Sequence, residues 1–504
     1  MQVLLILPIV IPFVFAIIAV LAWRQRQIQR MLALTGTLGL LLAGFILLFS
    51  VLENGIQMTA IGNWPPPFGI TLVADLFSAI MVVMAGIMGV SIVIFSIVSM
   101  DEARRSYGYY PLVLFLMMGM CGAFLTGDMF NLFVWFEVIL ISSFVLLTLG
   151  GERPQMEGAI KYFSLNLLVS AFFLGGVGII YAIAGTLNMA DLAQTLPQVE
   201  NQGLVMVVAM MLLVAFGIKS ALFPMFFWLP ASYHTPPVAI TTLFSGLMTK
   251  AGVYALVRVF TLVFTQDVAF THNLILIISG FTMVVGVFGA VAQYDFRRLL
   301  SFHIISQIGY LIMGLGIFTV ASLTGTIYFM IHVIIAKSAL FLVSGIVSMI
   351  AGTYDLKKLG GFYRGFPALA LFFIVPALAL GGIPPLSGFW AKLLLVIGGL
   401  EAEQYLIVGV ALFVSIFTLF SMTKIWAEAF WKDSPEIEIE TIKERVAAVP
   451  ANRMVVLLLP LIILATLTVV MGIAADPVID LATQAAEQLM NPEGYIEVVL
   501  GAAP

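Results

Sequence analysis

Six ionisable residues stand in stretches of sequence that are otherwise apolar: Glu137, Lys219, Lys250, His332, Lys337 and Lys392. A charge at the middle of a membrane-spanning helix costs about 2.5–3.5 kcal/mol on insertion scales, and chains keep one where it pairs, faces water or carries ions. Four lysines against one glutamate do not neutralise each other, as a structural ion-pair network would. An amine taken out of water loses much of its preference for the charged form, and a nearby carboxylate restores it. Such amines take up a proton in one setting and release it in another. These residue types in this ratio point to proton transfer through a membrane interior. The remaining candidates read differently. Arg258 and Lys424 lie close enough to the ends of their stretches to snorkel toward water. Asp75 opens a stretch, where a helix N-terminal acid is as ordinary a reading as a functional one. Lys161, His303 and Glu428 lie nearer the ends.

The elements that must hold these residues follow from composition. Of 504 residues, 62% are hydrophobic and 10% charged, with a mean hydropathy of +1.14. A soluble domain carries about 45–50% apolar and about 25% charged residues. The composition therefore excludes a soluble enzyme, a disordered chain and a nucleic-acid binder, and the net charge of −4 leaves no basic footprint. The single cysteine, Cys121, excludes a disulfide framework and a multi-cysteine metal site. The expected fold class is an all-α integral membrane bundle.

A window of about 20 apolar residues predicts about fourteen spans. Spans 1 to 7 lie near 2–22, 31–51, 70–99, 109–127, 129–149, 160–184 and 204–229; spans 8 to 14 lie near 237–264, 273–292, 299–320, 323–350, 368–398, 404–430 and 453–474. The first lacks the basic start and short apolar core of a cleaved leader, so it is expected to be retained. Loop charges test the count. Arg24, Arg26, Arg30, Arg104, Arg105, Arg153, Arg297, Arg298, Lys357, Lys358, Arg364, Lys432, Lys443 and Arg445 all follow odd-numbered spans. Loops after even-numbered spans carry Glu53, Asp128, Asp191, Glu200, Asp267, Glu401 and Glu403, and no Lys or Arg. Odd loops are thus expected in the cytoplasm and both termini outside. The exception, 230–236 (PASYHTP), is expected to tuck into the bundle. The chain reads as one bundle over 1–504. Its largest hydrophilic stretch, the cytoplasmic loop 431–452, is expected to lie at the surface, and the mildly acidic tail after 475 is expected to be a solvated end.

Two spans contain helix breakers beside a lysine. Span 7 reads GIKSALFPMFFWLP, with Pro224 after Lys219, and span 12 reads GGIPPLSGFWAK, with Pro384 and Pro385 before Lys392. Span 12 has about 31 residues, about 46 Å if straight, against a core of about 30 Å, so it is expected to break or tilt. Spans 4–8 (109–264) and 9–13 (273–430) then align as two five-helix repeats, each with its fourth span broken. An offset of five spans inverts the second repeat relative to the first, the plan of many transporters.

The run 219–254, KSALFPMFFWLPASYHTPPVAITTLFSGLMTKAGVY, resembles the core signature of the proton-translocating antiporter-like family. That family includes the large membrane subunits of respiratory complex I and the Mrp-type cation/proton antiporters. DMFNLFVWFEVILISSF (128–144), YDFRRLLSFHIISQIGYLIMGLG (294–316), HVIIAKSALFLVSG (332–345) and GGIPPLSGFWAK (381–392) support the resemblance, which covers roughly 110–430. The length, FHIISQIGY and the WLPASY…PPVAI run look like the D-type branch of the Mrp antiporters. The complex I subunit of similar length usually has a glutamate where this chain has Lys392. The resemblance implies a proton-translocating subunit of a multisubunit Na+/H+ antiporter in a bacterial cell membrane, a secondary transporter rather than an enzyme. Its partners would be A, B, C, E, F and G type subunits. The alternative is the membrane proton-pumping subunit of an NADH:quinone oxidoreductase or related redox complex. The resemblance casts Glu137 as the partner of Lys219, Lys219 as the proton-loading site of the first half, Lys250 with His332 and Lys337 as the central relay, and Lys392 as the terminal site. No cofactor is expected, since the chain carries no quinone, flavin or nucleotide motif. Hard cations want clustered oxygens and the interior has few acids, so Na+ is expected to be handled largely by a partner subunit.

Overall fold

Apolar runs long enough to satisfy every backbone group internally become helices, the one open-ended solution available in hydrocarbon. The computed structural model describes residues 2–501. Twelve helices among the described residues are long and apolar enough to cross a membrane, and they occupy every expected span except 4 and 12. Span 4 is the 17-residue helix Tyr109–Leu125, and span 12 is two 15-residue helices, Pro367–Gly381 and Ser387–Glu401.

Burial separates a core from a periphery. Span 8 (Val238–Leu262) is wholly buried over its apolar window, span 10 (Phe296–Ile317) 94% buried and span 11 (Val320–Ala351) 89% buried, whereas span 6 (Arg153–Ala184) is only 28% buried. The core spans carry Lys250, Arg258, His303, His332 and Lys337, so position near a span's end does not mean access to water here.

Both expected breaks are present. Span 7 (Gln202–Ser220) stops at Ala221, which is left-handed at φ 62°, and a short helix, Trp228–Ser232, follows. The first half of span 12 stops at Gly382, at φ 87°. Phe223–Pro224 and Pro384–Pro385 are cis in the respective breaks. The polar backbone freed at the first break finds new partners: the Phe223 amide donates to Thr282 Oγ1 (3.1 Å), and Trp228 Nε1 donates to the Ile218 carbonyl (2.9 Å). The 230–236 loop is largely buried, as its missing charge suggested.

One constant shift along the chain carries a whole set of features from the first half to the second. It takes Arg153–Ala184, closed by left-handed Gly185, onto Val320–Ala351, closed by left-handed Gly352. It takes the bridge between Asp128 and Asn188 onto the bridge between Asp295 and Asp355. The Met129 amide donates to the Leu187 carbonyl (2.9 Å), and the Phe296 amide donates to the Tyr354 carbonyl (2.9 Å). Asp128 and Asp295 each cap the helix they precede.

Two local expectations are corrected. Span 3 begins at Leu76, because residues before it form an antiparallel hairpin, Gln57–Ala60 with Thr71–Ala74, in the loop between spans 2 and 3. The hairpin delivers Asp75 as the N-cap of span 3, where it accepts from the Ser78 amide (2.9 Å). The tail is not a solvated end. Asp476–Met490 and Glu493–Leu500 are helices whose Ala482, Ala485, Ala486, Leu489, Tyr495 and Val499 are buried. The loop 431–452 does hold a short surface helix, Ile439–Ala448, seated through the fully buried Ile442.

Candidate proton-transfer site

Spans 5, 6 and 7 build the first cluster. Glu137, part-way exposed on span 5 (Met129–Thr148), accepts a hydrogen bond from Ser170 Oγ on span 6. Ser170 also reaches the Asn166 carbonyl (3.1 Å), one turn away. The Asn166 side chain turns the other way: its Oδ1 accepts from Lys219 Nζ at 3.0 Å. Lys219 also sits over the Phe136 ring, 5.2 Å from its centroid. Glu137 and Lys219 feel each other's charge but form no ion pair; Ser170 and Asn166 stand between them. The expected direct pairing is absent here, and Glu137 and Lys219 are connected through hydrogen bonds to Ser170 and Asn166 of span 6. A cavity of about 10 Å3 touches Lys219, Asn166, Tyr162, Tyr233 and Met248, room for about one water. The buried Tyr233 hydroxyl at its wall has no protein partner.

The centre is carried by spans 8 and 11. Lys250 is buried and donates to the Ser245 carbonyl at 2.5 Å. That carbonyl lies in a π-helical turn, Phe244–Met248, whose widened pitch loosens the helix's own hydrogen bonding. Lys337 is fully buried and donates to the Leu300 carbonyl of span 10 at 3.3 Å. Lys250 and Lys337 lie within each other's electrostatic reach. His332 joins span 11 to the second half of span 12 through Nδ1 and Ser387 Oγ (2.8 Å), and its Nε2 has no protein partner.

Lys392 ends the row. Its Nζ donates to the Gly381 carbonyl at the end of the broken helix (3.2 Å) and lies 5.2 Å from the centroid of the Tyr310 ring. Between Leu300 and Tyr310, span 10 presents a polar face. Both ring nitrogens of His303, Ser306 Oγ and both amide atoms of Gln307 are buried without a protein partner. His303 lies within the electrostatic reach of both Lys337 and Lys392. Buried polar atoms are ordinarily bonded to protein or to water, so this face is suited to hold a water chain.

None of the four lysines forms an ion pair among the described residues; the one buried pair is Arg258 with Asp75, at 2.5 Å. Arg258 does not snorkel. Its guanidinium lies against Tyr254 and Tyr495, so the pair locks the start of span 3 to the end of span 8 under the C-terminal helix. Lys424 does reach a helix end, donating to the Val291 (2.9 Å) and Gln293 (2.8 Å) carbonyls. Lys161 pairs with Glu157 and Glu428 with Lys432, both at the periphery.

Residues 126–418 match the family described as NADH:quinone oxidoreductase/Mrp antiporter, TM. The chain is 47% identical over 99% of its length to the D-type Na(+)/H(+) antiporter subunit of Alkalihalophilus pseudofirmus, 99% of which is covered. It is 39% identical to the D-type Na(+)/H(+) antiporter subunit of Bacillus subtilis, over 98% of this chain and 99% of that one. The chain belongs to the D-type family of Mrp antiporter subunits. Among solved structures, a chain in the Mrp complex of a Dietzia species is 31% identical with a TM-score of 0.90, covering 99% of both chains. A chain of the archaeal membrane-bound sulfane sulfur reductase is 26% identical, also with a TM-score of 0.90, over 99% of this chain and 100% of that one.

Within this family fold, all six residues singled out from sequence lie in or beside the bundle's core. Sequence reading passed over Asn166, Ser170, Tyr233, Ser306, Gln307, Tyr310 and Ser387. Uncharged polar residues are ordinary in long spans, and nothing in their spacing set them apart. His303 was placed near a span's end, yet it is fully buried. Its signal was available: span 10 has no polar stripe facing outward, so any histidine on it must face protein.

Proposed function

We propose that this chain is the proton-carrying subunit of an Mrp-type multisubunit Na+/H+ antiporter in a bacterial cell membrane. It works beside other antiporter subunits and leaves most Na+ handling to them. The carrying observation is the row Lys219, Lys250, Lys337 and Lys392, each buried and each held by one neutral oxygen instead of a carboxylate. A buried ammonium without a counter-charge is cheap to discharge, whereas a paired one is held charged.

In this reading Glu137 sets the state of Lys219 through Ser170 and Asn166. When the carboxylate is ionised and close, Lys219 holds its proton. When a neighbouring subunit's charge draws on Glu137, which is part-exposed, the proton leaves through the cavity beside Tyr233 toward Lys250. Repulsion between Lys250 and Lys337 keeps them from being charged together, so loading one discharges the other. The proton then follows the polar face of span 10, with His303 and His332 as exchanging groups, and reaches Lys392. Fourteen crossings, cytoplasmic odd loops and an inverted relation between 109–264 and 273–430 complete the proposal. Inversion would open the two broken spans toward opposite sides.

The test uses the assembled complex in proteoliposomes. Lys219→Ala abolishes Na+-driven H+ movement while the complex assembles at wild-type yield. Transport at the wild-type rate, or loss of assembly alone, contradicts the reading. A second reading, a proton-pumping subunit of a redox complex, draws on the likeness to the sulfane sulfur reductase chain. Co-purification with an iron–sulfur arm would favour it.

A further inference from the structure

On the face where the basic loops gather, a groove of about 350 Å3 opens between the end of span 11, the surface helix Ile439–Ala448 and the start of span 14 (Ala451–Ile473). Ile346, Met349, Ile350, Val449, Met454 and Leu457 make its walls apolar. Its single cation is Arg445, whose Nη1 donates to the Ile350 carbonyl at 2.6 Å in the last turn of span 11. That bond holds the guanidinium at the rim and leaves its other N–H groups available. Neither Arg445 nor the exposed Arg453 beside Met454 has a carboxylate partner among the described residues, while Glu440 is already taken by Lys443 (2.7 Å). Glu444 is the one acid adjacent to Arg445 in the chain.

We propose that this groove is a binding site for one anionic phospholipid, its phosphate on Arg445 and Arg453 and an acyl chain along Met349, Met454 and Leu457. The observations select this occupant. Arg445 at the rim of an apolar slot and exposed Arg453 at the start of span 14, neither with a carboxylate partner among the described residues, offer two cations beside apolar walls, the chemistry by which membrane proteins hold anionic headgroups on their cytoplasmic side. The surface helix is amphipathic and anchored through Ile442, so it lies where headgroups meet acyl chains. A lipid seated here braces the end of span 11, the helix that carries His332 and Lys337.

The test is lipid retention by the purified assembled complex in zwitterionic nanodiscs, measured with spin-labelled phosphatidylglycerol and spin-labelled phosphatidylcholine. The wild type restricts phosphatidylglycerol preferentially. Arg445→Gln reduces that preference about fivefold and Arg445→Gln with Arg453→Gln removes it. Val449→Trp, which fills the groove while leaving both arginines, also removes it. Subunit composition is unchanged in each. Four results overturn the proposal: equal restriction of the two lipids, unchanged preference in all the variants, displacement of the lipid by inorganic phosphate alone, or another subunit's helix occupying the groove in a density map of the complex.

Discussion

Span 8 carries two buried cations two turns apart and treats them in opposite ways. Arg258 is bonded to Asp75 and lies against two tyrosines. Lys250, as deeply buried, has a lone backbone carbonyl. Burial is costly for both, and the cost is met differently. The Arg258 site supplies a fixed counter-charge, and arginine does not lose its proton in proteins, so it is a permanent clamp. The Lys250 site supplies only a dipole, and lysine can be neutral. In the proposed function, an ion pair marks structure in this bundle, and its absence marks the row proposed to change charge.

The comparison can be broken most sharply at Lys250. Lys250→Met is expected to lower Na+-driven proton transport by more than about tenfold, since removing a relay group leaves no substitute of matching chemistry, with assembly and thermal stability at or above wild type. A stability loss there would put Lys250 in the same class as Arg258. Arg258→Met, by contrast, strands Asp75 and is expected to cost about 3–5 kcal/mol of stability, read as a lower melting temperature of the complex. Arg258→Met with Asp75→Leu should recover most of that loss, because the stranded charge is gone. Ser170→Ala probes the relay between Glu137 and Lys219. It removes one hydrogen bond to a charged group, worth about 1.5–3 kcal/mol, and should slow transport about tenfold or less without affecting assembly. Smallest of all, Lys424→Met removes a helix-end contact worth about 0.3–1 kcal/mol, so transport should stay within about twofold of wild type.

A second contrast lies between the halves. The shift that carries Asp128 to Asp295 brings Glu137 onto Ile304, beside His303. The first half therefore has an acid linked to Lys219 through Ser170 and Asn166, while Lys392 has only a carbonyl and a ring face. In the proposed mechanism Lys392 would depend on its neighbours for loading, and the first half would respond directly to a charge outside it.

Much of this was legible in the sequence. Hydropathy located the spans because an apolar run of that length has one low-energy form in lipid, and the prolines located both breaks because a missing N–H cannot be hidden. Three things were not legible. Asp75 and Arg258 are far apart in sequence, so two residues read separately as a helix-end acid and a snorkelling arginine turned out to be each other's partner. The tail's alanines gave no apolar run, yet small residues are what lets Asp476–Met490 pack closely. Asn166 and Ser170 matter only through what they touch, which composition does not record.

The central claim concerns charge, and nitrogen-15 magnetic resonance of lysine Nζ in the assembled complex reads it directly. The account predicts neutral-amine signals at working pH that disappear one at a time in Lys250→Met, Lys337→Met and Lys392→Met, with Lys219 joining them only when Glu137 is replaced by Gln. Spectra in which all four side chains remain ammonium throughout the active pH range would contradict it.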